Sequence, residues 1–219
     1  KIYHGELPQK NDRNHLKLLT VGQLSERKGM IPAAIELAKW ATNNPAIQIQ
    51  WNVVGAGPLQ ADLQAEPRPG NLQLVMHGHC DPKHIIDQYR DNDLLLFPTM
   101  ADEWGLVVDE ALQSGLPVIG SCHSQAAATL IEDRMGGWTY DPEQEGALSA
   151  VLDDLINLSQ HSYEQMPADA RRVAVKRTPA ASAIQLVQAV RFAMTARGLL
   201  PETPGTASSR KSSCEVSSS

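Results

Sequence analysis

Apolar residues fall along this chain in short runs, and the stretches between them carry helical spacing. Leu16 to Leu19 with Val21, Ile47 to Val54, Leu72 to Met76, Leu94 to Phe97 and Val118 to Gly120 read as strands. Gly136 to Tyr140 reads as a turn and a short strand. Leu94 to Phe97 is apolar without interruption, the pattern of a strand buried on both faces. Between the runs, residues 31–43 place Ile31, Ala34, Ile35, Ala38 and Ala41 on one helical face. A short helix is expected after Gly55-Ala56-Gly57-Pro58, and Asp81-Pro82 opens another with Ile85, Ile86 and Tyr89 as its apolar face. A helix from about Trp104 to Ser114 stops at Gly115. Residues 143–196 read as almost wholly helical.

Strands alternating with helices at this spacing predict an α/β fold, a Rossmann-like, doubly wound parallel sheet. Ligands of such sheets bind beyond the carboxyl ends of the strands. Chain order alone therefore gathers Gly22–Gly29, Gly55–Pro58, His77–Cys80 and Asp102–Gly105 onto one edge. Residues 1–14 mix charge, Pro and Gly and read as a linker, 15–197 as the domain, and 198–219 as a disordered tail rich in Ser, Thr and Pro. The first residue is Lys1 rather than Met, and the chain is expected to be part of a longer polypeptide.

A net charge of −6 argues against a general nucleic-acid or membrane-surface binder. No apolar run approaches the roughly 18–20 residues of a transmembrane helix, and no signal-peptide pattern opens the chain. Cys80, Cys122 and Cys214 show no metal-ligand spacing, which suggests free thiols in a reducing, cytoplasmic setting.

The chemistry concentrates in four segments. In Asp102-Glu103-Trp104-Gly105-Leu106-Val107, Gly105 lets the backbone approach a ligand, and the free N–H groups of the helix start can bind phosphate. Glu110 shares the helix face of Leu106 and Val107, which sets its carboxylate beside that phosphate. The same acids could merely complement the helix dipole, and whether Asp102 or Glu103 faces a ligand stays open. Val21-Gly22-Gln23-Leu24 leads into Lys28-Gly29, where Lys28 is either a diphosphate counter-charge or part of a solvated turn. Val54-Gly55-Ala56-Gly57-Pro58-Leu59 begins like a dinucleotide fingerprint, but Gln60 follows where Gly or Ala is needed, so a tight strand-to-helix turn fits it better. In Met76-His77-Gly78-His79-Cys80 the two histidines would alternate across an extended strand end and no nearby carboxylate completes a convincing metal site, so the segment reads as a backbone-lined pocket or a turn.

Together these segments resemble the C-terminal, donor-binding half of a GT-B glycosyltransferase, of the retaining "glycosyl transferases group 1" family (family 4 type), over about residues 15–197. The family's Val-Gly-Arg-Leu and Lys-Gly are matched by Val21-Gly22-Gln23-Leu24 and Lys28-Gly29. Its Val-Gly-x-Gly-Pro-Leu is matched at 54–59, its Gly-x-Pro-Val at 115–118, and its paired glutamates by Asp102 and Glu110 around Gly105-Leu106-Val107. The resemblance implies that Glu110 accepts hydrogen bonds from the donor ribose and that Asp102 contacts the transferred sugar. It implies that Lys28 and the backbone of Trp104–Val107 hold the diphosphate, with Gly22, Gln23, Gly55, Gly57 and the His77-Gly78-His79 turn around the nucleotide. No metal or separate cofactor is expected, and the resemblance implies transfer with retention, by front-face attack. The implied partners are a nucleoside-diphosphate sugar, a saccharide or glycolipid acceptor, and an N-terminal GT-B domain through which membrane contact could come. Two positions depart from the family: Asp102 is one methylene shorter than its glutamate, and uncharged Gln23 replaces its phosphate-binding arginine. Arg27 is near enough in sequence to compensate. A non-catalytic nucleotide-sugar binding module is the alternative. The apolar residues Ile184, Leu186, Val187, Val190 and Phe192 are expected to pack on a partner domain or in the core.

Overall fold

In the computed structural model, residues 14–81, 84–131 and 134–175 are described. The linker reading, the tail and the apolar positions between 184 and 192 lie outside them. Among the described residues six strands form one parallel sheet: β1 (His15–Val21), β2 (Gln48–Val54), β3 (Leu72–Gly78), β4 (Leu94–Phe97), β5 (Val118–Ser121) and β6 (Gly137–Tyr140). Their spatial order is β3-β2-β1-β4-β5-β6. The chain winds outward from β1 in one direction, then returns to begin β4 on the other side of β1. Connections that diverge at this reversal leave a crevice beyond the strand ends, where doubly wound sheets bind ligands.

The helices are α1 (Met30–Asn43), α2 (Gln60–Ala65), α3 (Ile85–Asp91), α4 (Leu106–Ser114), α5 (Gln125–Leu130), α6 (Ala147–Ile156) and α7 (Gln160–Val175). They cover both faces of the sheet. On β4, Leu94 and Leu96 enter one core with residues of α1 and α6. Leu95 and Phe97 enter the other, with Tyr89 of α3, Val108 and Leu112 of α4, Ala127 of α5 and Ala170 of α7. All four β4 residues are buried, as the uninterrupted apolar run requires.

The sequence pattern locates each strand to within about two residues of its observed bounds, but it misplaces the face of α1. Its buried residues are Met30, Ala33, Ala34, Leu37, Trp40 and Ala41, while Ile35 is exposed. The large side chains Leu37 and Trp40 decide the rotation, and Trp40 Nε1 donates to Asp153 Oδ1 of α6 at 2.7 Å. The small helix α2 begins at Gln60, two residues after Pro58. Among the described residues, the long helical tract divides at residues 157–159 into α6 and α7.

Two glycines bring the strand ends close enough to form a site. A Cβ on Gly55 would stand 1.9 Å from the Gly22 carbonyl oxygen, so only glycine lets the turns after β1 and β2 touch. A Cβ on Gly29, at φ 63°, would stand 2.0 Å from the Pro98 carbonyl oxygen. That contact brings the start of α1 against the loop after β4.

Candidate functional site

Two neighbouring groups of side chains meet at the carboxyl edge of the sheet. The first lines a cleft of about 750 Å³ over the ends of β1, β2 and β3. Its walls include Gly22, Gln23, Gly55, Gly57, His79 and Glu110. The turns after β1, β2 and β3 supply all of these but Glu110, which reaches over from α4.

Glu110 is held from below. Tyr89, fully buried in α3, donates its hydroxyl to Glu110 Oε2 at 2.7 Å. A carboxylate can accept through both oxygens, so this bond fixes its plane and leaves Oε1 for a ligand. Sequence reasoning placed Tyr89 on an apolar helix face and gave it no polar role. A tyrosine as the last member of that stripe was the available signal, since a buried phenol needs a partner.

The second group lies at the reversal of strand order. Lys28 follows β1 and Asp102 follows β4, and the Lys28 ammonium is hydrogen-bonded and ion-paired to Asp102 Oδ2. Both side chains are about 15% exposed (15% and 14%), so the pair is shielded yet open to an entering group. The ammonium also stands 5.1 Å from the centre of the Phe97 ring, a cation–π contact. Gly22 joins the two groups: it lines the cleft, and its missing Cβ would lie 3.8 Å from Lys28 Cε.

The loop carrying Asp102 is fastened on both sides. Met100 N–H donates to the Arg27 carbonyl at 2.8 Å, and Arg27 Nη1 donates to the Ala101 carbonyl at 3.1 Å. On the other side Asp102 bridges Ser124, and Ser124 Oγ donates to the Trp104 carbonyl at 3.1 Å. Gly105 caps α4 at φ 90°, with the Phe97 ring 3.0 Å from where a Cβ would be. The first-turn N–H groups of Leu106 and Val107 have no carbonyl of their own helix within reach, and no side chain caps them. Leu106 itself is 70% exposed. Trp104 Nε1 donates to Asp109 Oδ2 at 2.6 Å and closes the turn into α4.

Not every predicted residue joins these groups. His77 turns onto the sheet face, where Nε2 lies 2.9 Å from Asn52 Oδ1, and it does not line the cleft. Gly78 acts through its carbonyl, which accepts the Gly55 N–H at 2.7 Å. Glu103 is exposed, and it is Asp102 rather than Glu103 that meets Lys28. Gln23 is an exposed residue of the cleft, and the Arg27 guanidinium donates to the Ala101 carbonyl.

A six-stranded parallel sheet in the order β3-β2-β1-β4-β5-β6, with charged groups at the point of reversal, defines a Rossmann-like ligand-binding domain. The chain belongs to the glycosyl transferases group 1 family, whose model matches residues 6–173. It is 28% identical over 139 residues to the UDP-N-acetylglucosamine–peptide N-acetylglucosaminyltransferase GtfA subunit of Streptococcus agalactiae, covering 61% of this chain and 26% of that one. Its fold matches S. aureus TarM, crystallised with fondaparinux, α-GlcNAc-glycerol and UDP, at a TM-score of 0.65 and 14% identity, over 84% of this chain and 36% of TarM. It also matches the C-terminal domain of the glycosyl transferase group 1 protein LpcC from Francisella tularensis at a TM-score of 0.63 and 18% identity, over 78% of this chain and 87% of that domain. The chain thus spans about a quarter of the curated relative's length. Among the described residues no helix is long and apolar enough to cross a membrane.

Proposed function

We propose that this chain is the donor-binding domain of a retaining, metal-independent glycosyltransferase that takes a nucleoside-diphosphate sugar. The carrying observation is the Lys28–Asp102 pair at the strand reversal, next to a glycine-walled cleft that Glu110 overlooks. Each part has a role in that reading. The cleft takes the nucleoside, with Glu110 Oε1 accepting from the ribose hydroxyls. The diphosphate crosses Gly22 toward Lys28 and the open N–H groups of α4. Asp102, sharing Lys28, receives a hydroxyl of the sugar as the ammonium shifts toward phosphate. Charge that develops on the leaving diphosphate is then met by a cation and a helix N-terminus already in place.

The acceptor, a saccharide or glycolipid, enters from an N-terminal domain, which also supplies any membrane contact, in a cytoplasmic enzyme. Family membership and the names of relatives that use or bind UDP support a uridine donor as the first to try. A non-catalytic binding module is the second reading. It is favoured by the uncharged Gln23 on the cleft and by Arg27 being occupied elsewhere.

The test is calorimetric titration of the chain with UDP, GDP, ADP and their common sugar conjugates, repeated on Glu110→Ala. Binding of one nucleotide that the variant loses supports the reading. Binding to none, or equal binding by the variant, overturns it. Sugar transfer after adding the N-terminal half of a relative separates the enzyme from the binding module.

A further inference from the structure

The far end of the sheet holds three metal-ligating side chains that the cleft does not use. Cys122 and His123 follow β5, and Asp141 follows β6. The ladder that pairs Ser121 with Tyr140 makes them neighbours, and Cys122 N–H donates to the Tyr140 carbonyl at 2.8 Å. Cys122 Sγ, a ring nitrogen of His123 and a carboxylate oxygen of Asp141 all lie within 4.8 Å of one another.

The histidine is already set for a ligand. Its Nδ1 lies 3.1 Å from the Met100 carbonyl oxygen. A carbonyl only accepts, so Nδ1 carries the proton and Nε2 of the neutral ring keeps its lone pair. Metal-bound histidines are oriented by this same kind of bond on their second nitrogen. Nε2 faces Asp141 Oδ1 at 3.7 Å, beyond hydrogen-bond range. That is near the roughly 3.3 Å between two ligands that each stand about 2.0–2.1 Å from one tetrahedral ion. Asp141 Oδ1 is itself positioned, accepting the Glu143 N–H at 2.9 Å.

We infer that Cys122, His123 and Asp141 form a binding site for a zinc-like divalent cation, apart from the donor cleft. One thiolate, one imidazole and one carboxylate suit a borderline ion such as Zn²⁺ or Co²⁺, whereas Mg²⁺ and Ca²⁺ prefer oxygen alone. Small side-chain rotations close the triangle onto one ion, and the exposed Cys122 gives access from solvent. A fourth position is left for water. The ion braces the Asp102 loop, because His123 holds the Met100 carbonyl with its ring and accepts the Asp102 N–H at 3.3 Å with its carbonyl.

The test is titration of Co²⁺ into the reduced, metal-free chain. The expected result is a thiolate-to-cobalt absorption band with intense tetrahedral visible bands, saturating at one ion per chain and displaced by Zn²⁺. Cys122→Ser should abolish the band. His123→Ala and Asp141→Asn should each weaken Co²⁺ binding at least tenfold. The double variant Cys80→Ser with Cys214→Ser should keep it. Absence of a thiolate band at saturating Co²⁺, or its survival in Cys122→Ser, overturns the assignment. Thermal melts guard against a misfolded variant: Zn²⁺ should raise the midpoint of the parent chain and leave that of Cys122→Ser unmoved. An equal shift in both also overturns it.

Discussion

The Lys28 ammonium meets the Asp102 carboxylate across the gap between β1 and β4, the point where the sheet reverses its strand order. Each residue is the other's counter-ion, and together they hold a positive charge beside a place for phosphate without leaving it bare. An incoming diphosphate offers Lys28 a stronger partner and releases an Asp102 oxygen toward whatever the phosphate carries.

Removing the cation should therefore act on the diphosphate and spare the nucleoside. Lys28→Ala is expected to weaken UDP binding by about 10- to 100-fold, the value of a charge-assisted hydrogen bond of about 1.5–3 kcal/mol. Uridine binding should change by less than about threefold. Calorimetry with the two ligands on both proteins checks this, and equal losses for both would contradict it.

Tyr89 is a positioning residue for Glu110. Tyr89→Phe keeps the packing and removes one bond of about 1 kcal/mol, so nucleoside affinity should fall by about three- to tenfold. Glu110→Gln should be less sensitive to the Tyr89 change than the parent chain is, because the carboxylate that the phenol orients is gone. A double-mutant cycle on uridine binding reads the coupling directly.

Gly55→Ala should cost about 2–4 kcal/mol, because the new Cβ meets backbone rather than a movable side chain and the residue is held at φ 137°. The melting midpoint is expected to drop by about 5–15 °C. Gly70→Ala, with nothing near its Cβ position, is the control and should melt like the parent.

Tyr140 ties stability to alkaline pH. Burial first, and then the Glu36 carboxylate, push its phenol far above the ordinary value of 10.0. Above about pH 10 the unfolded chain releases this proton while the folded chain keeps it. Stability then falls by up to about 1.4 kcal/mol per pH unit. Below pH 10 both states are protonated and the contribution is fully retained. Tyr140→Phe should match the parent near neutrality and become the more stable protein above pH 10, as denaturant titrations across that range would register.

The strands were legible because each is a short apolar run bounded by glycine or polar turns, and the parallel order follows from their alternation with helices. Gly22, Gly55, Lys28 and Asp102 were legible as a set, since all lie in turns that follow strands and that such a fold gathers on one edge, and Glu110 joined them through its spacing from the start of α4. The face of α1 was not: spacing weighs every apolar residue alike, whereas the packed core is set by Leu37 and Trp40. The resemblance set the His77-Gly78-His79 turn around the nucleotide through its backbone, but the direction of the His77 side chain, which meets Asn52 on the neighbouring strand, follows from strand alternation and not from the motif. Tyr89 under Glu110, and Asp141 beside Cys122 and His123, depend on contacts between separate elements, which no local pattern encodes.

The loop from Pro98 to Gly105 is tied to Arg27 on one side and to His123 and Ser124 on the other. It behaves as a rivet through the turns that follow β1, β4 and β5. Displacing any one of these turns would strain the hydrogen bonds that hold it to the other two. A ligand that draws Lys28 forward loads the turn after β5, and a grip on that turn stiffens the bed on which Lys28 and Asp102 rest.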